Sequence, residues 1–171
     1  MNWLYIVGLI VFLLFSFVIL FGAPFLPTLG AQTGEALDLL DLKPGQTLTE
    51  LGSGDGRILR AAAQRGIYAI GYELNPMLVV WSRLASWRYR RLVTVHWGNY
   101  WWHSLPLTDG IYVFLLQSYM EKLDTKIVQE AKRPIKLVSY AFQIPNKKHS
   151  KLLNGLYLYS YKIRPPKNKI G

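Results

Sequence analysis

Short apolar runs alternate with amphipathic stretches along most of the chain beyond residue 35. A short apolar run between turn signals is typical of a β-strand, whereas apolar positions that recur every three or four residues are typical of a helix. The apolar runs predict five strands, at 48–51, 68–74, 92–97, 109–116 and 136–142. The amphipathic stretches predict one helix before the first strand, at 35–42, and three between the strands, at 58–64, 76–91 and 120–131. Strands that alternate with helices favour an α/β fold built on a parallel sheet.

Two further patterns place the ends and the centre of this sheet. The run 109–116, DGIYVFLL, is almost continuously apolar, as expected for a central strand of a parallel sheet that is covered on both faces. Near the carboxyl terminus, Asn154-Gly155 separates two apolar stretches and favours the tight turn of a β-hairpin. We therefore predict a Rossmann-like sheet that is mostly parallel and has an antiparallel final strand.

The helix after Asn75-Pro76 combines apolar and basic positions. Asn is a good N-cap, and proline suits the first helical turn. The apolar positions of this helix are Leu78, Trp81, Leu84 and Ala85, and its polar side and last turn carry Arg83, Arg88, Arg90 and Arg91.

The amino-terminal run from Trp3 to Ala23 is almost wholly apolar. As a helix it would be roughly 30 Å long, the thickness of the hydrocarbon core of a bilayer. A cleaved signal peptide is one rival interpretation, but no basic residue precedes the run, and Pro24 and Pro27 follow it. A buried core helix is another, although the run has no polar face. We predict a transmembrane anchor over 1–23 and a Pro/Gly-punctuated linker over 24–34.

Composition limits the remaining possibilities. The 171 residues leave room for one compact domain, predicted over 35–163, and a basic, disordered tail over 164–171. The chain has no cysteine, and its three histidines do not favour a metal-centred enzyme. The net charge of +10 suits an anionic membrane surface or nucleic acid. All twenty Lys and Arg follow the apolar run, which predicts that the domain lies on the cytoplasmic side of the membrane.

A glycine-rich turn connects the first predicted strand to the next helix. Gly52, Gly54 and Gly56 permit positive φ angles and a close approach of the backbone to a ligand. Glu73 ends the next strand about twenty residues later, where a carboxylate can accept hydrogen bonds from ribose hydroxyls. The turn reads G-x-G-x-G rather than the G-x-G-x-x-G of NAD sites, and the negative charge of Asp55 would oppose a diphosphate. A plain α/β turn with a surface Glu is the alternative.

These motifs, ELGSGDGR followed by GYELNP, resemble those of the seven-β-strand methyltransferases that use S-adenosylmethionine. More specifically, the layout resembles a family of membrane-anchored protein-lysine methyltransferases, whose animal members modify the mitochondrial adenine nucleotide translocase and the ATP synthase c-subunit. The matching features include PFLPT behind the anchor, SR in the helix after GYELNP, GN after the third strand, and LVSYAF. They cover most of Pro24–Phe142.

The resemblance implies a set of cofactor-binding residues. Two of them, Pro27 and Thr28, would close over the cofactor. Asn99 stands where many such enzymes have an acidic residue that accepts from the adenine amino group, and a simple turn role for this Asn is an equal alternative. The remaining candidates are Glu50, Gly52, Ser53, Gly54, Gly56, Glu73, Leu74 and Tyr100.

The reaction implied is displacement at the sulfonium methyl group, in which the protein mainly positions and desolvates the reactants. Gln117 and Tyr119, after the fourth strand, are candidate catalytic residues, with ordinary loop residues as the alternative. Tyr100, Trp101 and Trp102 suit either a membrane interface or packing under a loop. The favoured function is a membrane-tethered methyltransferase that acts on a protein lysine. The alternatives are methylation of a lipid or quinone, and a non-enzymatic module that binds RNA or anionic lipid, although no typical nucleic-acid-binding motif is present.

Overall fold

The computed structural model describes residues 2–9, 12 and 30–162 of the chain. Seven strands form its sheet: β1 (Thr47–Leu51), β2 (Tyr68–Glu73), β3 (Val93–Trp97), β4 (Gly110–Val113), β5 (Ile135–Tyr140), β6 (Lys151–Leu153) and β7 (Leu156–Tyr161). The α-helices of residues 30–162 are α1 (Gly30–Leu40), α2 (Arg57–Gln64), α3 (Pro76–Ala85) and α4 (Gln117–Glu130).

The strand order is β3-β2-β1-β4-β5-β7-β6. Strands β1 to β5 are parallel, whereas β7 pairs antiparallel with β5 and with β6. Because β6 is antiparallel to β7, it runs in the same direction as the parallel strands. The predicted α/β sheet and its antiparallel final strand are therefore confirmed, and the hairpin turns at Asn154-Gly155 as predicted.

Two apolar clusters cover the two faces of the sheet. One joins Leu48 and Val138 of the sheet to residues of α1, α2 and α3, such as Leu37 and Leu59. The other joins the opposite face of the sheet to α4, with Leu123 fully buried at its centre. Both faces are therefore covered, and β4 in the middle is buried along its whole length, as its apolar sequence predicts.

The helix boundaries differ from the predicted ones in physically informative ways. Helix α1 begins at Gly30, inside the predicted linker 24–34. Contacts distant in sequence stabilise this early turn despite two glycines, because Gln32 donates a hydrogen bond of 2.7 Å to the hydroxyl of Tyr140. Helix α4 begins at Gln117 rather than at residue 120, and β4 stops at Val113, so the segment between them is short.

The predicted helix 76–91 is shorter than expected. Helix α3 ends at Ala85, and residues 87–89 form a separate 3₁₀ turn. The chain reverses here because the N–H groups of Tyr89 and Leu92 bond to the carbonyls of Ser86 and Tyr89, which leads directly into β3.

Most of the predicted anchor 1–23 and all of the tail 164–171 lie outside the described residues, as does the linker before Gly30. Residues 3–9 are helical and their side chains are exposed. Within 2–9, 12 and 30–162, no helix is both long enough and apolar enough to span a bilayer.

Candidate active site

The strand order reverses between β1 and β4, which are neighbours in the sheet although two strands separate them in sequence. Open α/β sheets bind their ligands outside the carboxyl ends of the strands at such a switch point. The glycine turn follows β1 and the first turn of α4 follows β4, so both flank this crevice. The topology thus brings the glycine turn, Glu73 and the candidate catalytic residues to one edge of the sheet.

The glycine turn adopts the left-handed conformations that its sequence predicts. Gly52, Gly54 and Gly56 have φ angles of 84°, 53° and 77°. The N–H groups of Gly52 and Ser53 both donate to the carbonyl of Tyr72 in β2 at 2.9 Å, which holds the turn against the next strand.

The glycines of the turn have different surroundings. A Cβ added to Gly52 would meet no atom within 4 Å, so the space above this residue is open to a ligand. A Cβ at Gly56 would collide with the hydroxyl of Ser82 in α3. Helix α3 therefore occupies the space that a side chain at position 56 would need.

Glu73 is buried and uses both carboxylate oxygens to hold the site together. One oxygen accepts from the N–H of Gly54 and the other from the N–H of Asn75, each at 2.8 Å. A carboxylate offers about four lone-pair positions, so two remain for hydroxyl groups of a ligand. Glu73 therefore fixes the glycine turn and the start of α3 in addition to its predicted ribose contact. The bond from Asn75 is local, two residues along the chain, whereas the N–H of Gly54 is brought to Glu73 by the register of β1 and β2, which no short sequence pattern indicates.

Glu50 is the most unusual charged group of the site. It is buried at the end of β1, and its Oε2 atom has no hydrogen-bond partner among the described residues. Burial raises the pKa of Glu50 well above its usual value, and the negative charges of Asp55 and Glu73 raise it further. A buried carboxyl oxygen without a hydrogen-bond partner is costly, so its presence here points to a ligand with positive charge. Ser53, three residues further along the chain, also has a buried hydroxyl with no partner in the described structure.

Asp55 is paired with a cation, which changes its predicted effect on ligand choice. Its carboxylate accepts from Arg57 at 2.8 Å, and Arg60 donates to its carbonyl at 2.6 Å. Burial raises the pKa of Asp55, but the hydrogen bonds from Arg57 outweigh burial and hold the pKa below its usual value. The carboxylate is thus ionised but largely compensated, so its repulsion of a diphosphate is weaker than the sequence alone indicates.

Asn99, in the segment after β3, caps a turn and keeps its amide nitrogen available to a ligand. Asn99 accepts a hydrogen bond from the N–H of Trp101 at 3.0 Å and so caps the 3₁₀ turn 100–102, while no described residue accepts from its amide nitrogen. The predicted turn role is present, and the amide remains able to donate to adenine. Leu74 is half-buried at the same edge, and its carbonyl accepts from the indole of Trp97.

The three adjacent aromatic residues do not share one environment. Tyr100 and Trp101 pack against the core on the α4 side of the sheet, whereas Trp102 is 83% exposed. Tyr100 and Trp101 are therefore packing residues, whereas the membrane-interface interpretation of Trp102 stays a prediction.

Gln117 and Tyr119 lie in the first turn of α4, not in a loop. Gln117 donates to the carbonyl of Gln143 at 2.9 Å, and the ring of Tyr119 lies 6.0 Å from that of Trp101. Because α4 follows β4, both residues lie near the edge of the sheet that carries the glycine turn, and their catalytic role stays a prediction.

An aromatic group that sequence reasoning missed lies at the ends of β4 and β5. The ring of Phe114 is 5.0 Å from that of Tyr140 and 6.4 Å from that of Phe142. These residues come from two separate parts of the chain, so only the pairing of β4 with β5 brings them together. Tyr140 and Phe142 belong to the segment LVSYAF, which the sequence comparison with the family had already singled out.

Pro27 and Thr28 lie outside the described residues. Within the parts of the chain that the structure describes, no cluster of three His, Asp or Glu is arranged to hold a metal ion.

The sheet topology, the glycine turn and the buried Glu50 and Glu73 together define the fold of the class I methyltransferases, the class that uses S-adenosylmethionine. A solved RNA methyltransferase from Salinibacter ruber, in complex with S-adenosylhomocysteine, has a similar structure. It superposes with a TM-score of 0.76 at 26% identity, and the match covers 84% of this chain and 98% of that one.

More specifically, residues 50–151 match the ANTKMT methyltransferase domain, and the chain belongs to that family. It is 38% identical over 125 residues to the adenine nucleotide translocase lysine N-methyltransferase of Mus musculus, a match that covers 71% of this chain and 54% of the relative. It is 32% identical over 125 residues to the ATP synthase c-subunit lysine N-methyltransferase of Xenopus laevis, which covers 72% of this chain and 55% of the relative. The chain thus spans about half the length of the curated relatives it matches.

The residues present fit the cofactor of this class. The open space above Gly52 leaves room for a ligand close to the backbone. The unpartnered oxygen of Glu50 suits an ammonium or sulfonium charge, and the spare lone pairs of Glu73 suit a ribose diol.

Proposed function

We propose that the chain is a membrane-tethered methyltransferase that transfers the methyl group of S-adenosylmethionine to a lysine of a membrane-associated protein. The observation that carries the proposal is the buried, unpartnered carboxyl oxygen of Glu50 beside an open glycine turn that Glu73 braces. The lysine acceptor follows from the names of the relatives, which are lysine N-methyltransferases of the adenine nucleotide translocase and of the ATP synthase c-subunit.

When bound, the cofactor supplies an electrophilic methyl group on a sulfonium. Gly52 would let the ligand lie against the backbone, Glu73 would accept from the ribose hydroxyls, and Glu50 would face the positive charge. Asn99 and Leu74 would border the adenine. The chain itself therefore contributes position, charge complementarity and exclusion of water.

The aromatic group of Phe114, Tyr140 and Phe142 is suited to receive a lysine side chain. Apolar walls disfavour the charged ammonium and so lower the pKa of a lysine amine that enters between them. Aromatic faces also attract a methylated ammonium product. The amine must be neutral to attack the methyl group, so these rings would help to supply the reactive form.

The membrane tether rests on the sequence of the amino-terminal run from Trp3 to Ala23, which is long and apolar enough to cross a bilayer as a helix. The distribution of Lys and Arg supports a domain on the cytoplasmic side. The membrane tether and the cytoplasmic orientation are both independent of the geometry of the crevice.

A labelled-methyl assay tests the function. The full chain is incubated with methyl-labelled S-adenosylmethionine, isolated membranes and total RNA, and the label is measured in protein, lipid extract and RNA. We expect label in protein, recovered as methyl-lysine after hydrolysis. Label in the lipid extract, or no transfer at all, would contradict the proposed acceptor.

A matched pair of glycine variants tests whether transfer depends on the crevice. Gly52 and Gly45 have nearly equal φ angles, 84° and 86°, and a Cβ at either position meets no atom within 4 Å. Gly52→Val and Gly45→Val therefore both place a β-branched residue at a positive φ angle, but only the first places a side chain above the glycine turn. We expect Gly52→Val alone to abolish transfer.

RNA is the second candidate acceptor. The likeness to the RNA methyltransferase at 26% identity, together with the net charge of +10, favours it. The same assay decides between the two, because RNA methylation would place the label in the RNA fraction and leave protein lysines unlabelled.

A further inference from the structure

The outward surface of α3 is apolar, and we propose that it docks on an anionic membrane surface. Met77, Val80, Trp81 and Leu84 follow the spacing i, i+3, i+4, i+7 and form one stripe along the helix. Their exposed fractions are 47%, 56%, 61% and 66%. We call this stripe, together with Trp87 after the helix, the α3 face.

The opposite side of the helix packs against the domain core. Val79 and Ser82 are the buried residues of α3, and Val79 belongs to the cluster on the sheet. The α3 face is therefore not an unfilled part of the domain core. Contiguous exposed apolar surface of this kind marks a contact with another molecule or a membrane.

Charge identifies the partner as anionic. From Leu74 to Thr108 the chain contains four arginines and no Asp or Glu. Arg88, Arg90 and Arg91 follow directly after α3, and they take part in none of the ion pairs of the described residues. These three arginines are therefore available to an anionic surface.

The basic and apolar parts form one continuous surface. The guanidinium carbon of Arg90 lies 5.3 Å from the ring centroid of Trp87, which belongs to the α3 face. All three arginines also line an open hollow of about 560 Å³, together with Tyr68, Tyr89 and Leu92. Lipid phosphates can reach these side chains while the apolar stripe enters the acyl boundary.

A lipid surface accounts for both features better than RNA does. Amphipathic helices that lie in the membrane interface combine aliphatic and Trp residues with Lys and Arg. Each arginine near an anionic leaflet strengthens binding by about fivefold. RNA would engage the arginines and the indoles, but Met77, Val80 and Leu84 would gain nothing from phosphate or ribose.

Docking would place the crevice beside the membrane plane. Helix α3 starts immediately after Asn75, whose N–H donates to Glu73 in the site. The stripe thus begins next to the ligand crevice and runs away from it. This contact goes beyond the proposed function, because it does not depend on the identity of the methyl acceptor or on the amino-terminal run.

The absence of cysteine from the sequence makes a site-specific test possible. Leu84→Cys in the full chain carries a polarity-sensitive fluorophore on the α3 face. Val128→Cys is the matched control, because Val128 is an apolar helical residue of 56% exposure on α4, at the other face of the sheet. Each protein is mixed with vesicles of phosphatidylcholine, with or without phosphatidylglycerol, and co-sedimentation separately reports attachment by the amino-terminal run.

We expect a blue shift at position 84, but not at 128, with the anionic vesicles. Replacing Arg88, Arg90 and Arg91 with Gln should reduce the docked-to-undocked ratio by at least about tenfold. Unchanged emission at position 84 while the protein sediments with the vesicles would overturn the inference, as would equal shifts at both positions. A shift at position 84 with RNA but not with vesicles would also overturn it and identify the α3 face as an RNA surface.

Discussion

The double role of Glu73 gives a prediction that separates cofactor binding from stability. Replacing Glu73 with Ala removes two hydrogen bonds of 2.8 Å from backbone N–H groups to a buried carboxylate. Hydrogen bonds to charged groups contribute about 1.5–3 kcal/mol each. Water entering the vacated space recovers part of this, so we expect Glu73→Ala to lower the free energy of unfolding by about 2–4 kcal/mol. Urea denaturation in detergent would measure the loss.

The same change removes the acceptors for the ribose hydroxyls. We expect the dissociation constant for S-adenosylmethionine to rise by at least about tenfold, measured by calorimetric titration at a temperature where the variant is folded. Each tenfold change in this constant corresponds to about 1.4 kcal/mol of binding free energy.

Glu130 provides the matched control. Its carboxylate also accepts from a backbone N–H, that of Leu105 at 2.6 Å, and from Lys126 at 2.7 Å. It lies at the carboxyl end of α4, away from the crevice. Glu130→Ala should therefore lower stability without changing cofactor affinity. Unchanged affinity in folded Glu73→Ala would refute the ribose assignment, and an equal loss of affinity in both variants would show that weakened folding is the cause.

Three other predictions concern the same crevice. Because burial raises the pKa of Glu50 above its usual 4.5, the folded protein retains a proton that the unfolded chain releases. The free energy of unfolding should then fall as pH rises from 4.5 through the folded pKa. Glu50→Gln should remove this fall, measured by urea titrations at several pH values, and should also weaken cofactor binding. An unchanged pH profile in the variant would contradict this prediction. Gly56→Ala should lower the free energy of unfolding by at least about 1 kcal/mol, because the new Cβ meets Ser82 and the φ angle of 77° is strained for alanine; an equally stable variant would refute this. In thermal-shift measurements S-adenosylmethionine and S-adenosylhomocysteine should stabilise the protein and NAD should not compete, whereas stabilisation by NAD alone would overturn the methyltransferase assignment.

The elements nearest to the site were predictable because their signals are local. Three alternating glycines need left-handed backbone angles, and Asn-Gly favours one turn type, so a short window of sequence specifies both. The position of Glu73 at the end of its strand also follows from a short window. The parallel sheet follows from alternating strands and helices, since parallel strands need a long crossover connection that is usually a helix.

Features that depend on long-range pairing were not predictable. The aromatic group around Phe114 forms only when β4 pairs with β5, and Glu73 meets Gly54 only through the register of β1 and β2. Asp55 and Arg57 are only two residues apart, but whether they form an ion pair depends on the geometry of their side chains. This ion pair reduces the repulsion between Asp55 and a diphosphate, which the charge of Asp55 alone does not indicate.

Helix α3 shows how periodicity can leave a face undetermined. Apolar residues occur on both of its sides, so the spacing of Trp81 and Leu84 did not reveal that the sheet would bury Val79 and Ser82 instead. Packing decides which side is buried, because the small Ser82 of α3 allows the glycine turn at Gly56 to approach closely. The larger residues then remain on the outside.

Lysine methylation by the full chain is tested most directly by mass spectrometry of the acceptor after reaction with S-adenosylmethionine and isolated membranes. We expect S-adenosylhomocysteine in equal amount to the methyl groups transferred, and a mass increase on a lysine side chain of a membrane protein. We expect no increase when Gly52→Val replaces the wild-type chain. Methyl groups found only on RNA or lipid, or consumption of the cofactor without any modified lysine, would show that the protein is not a protein-lysine methyltransferase.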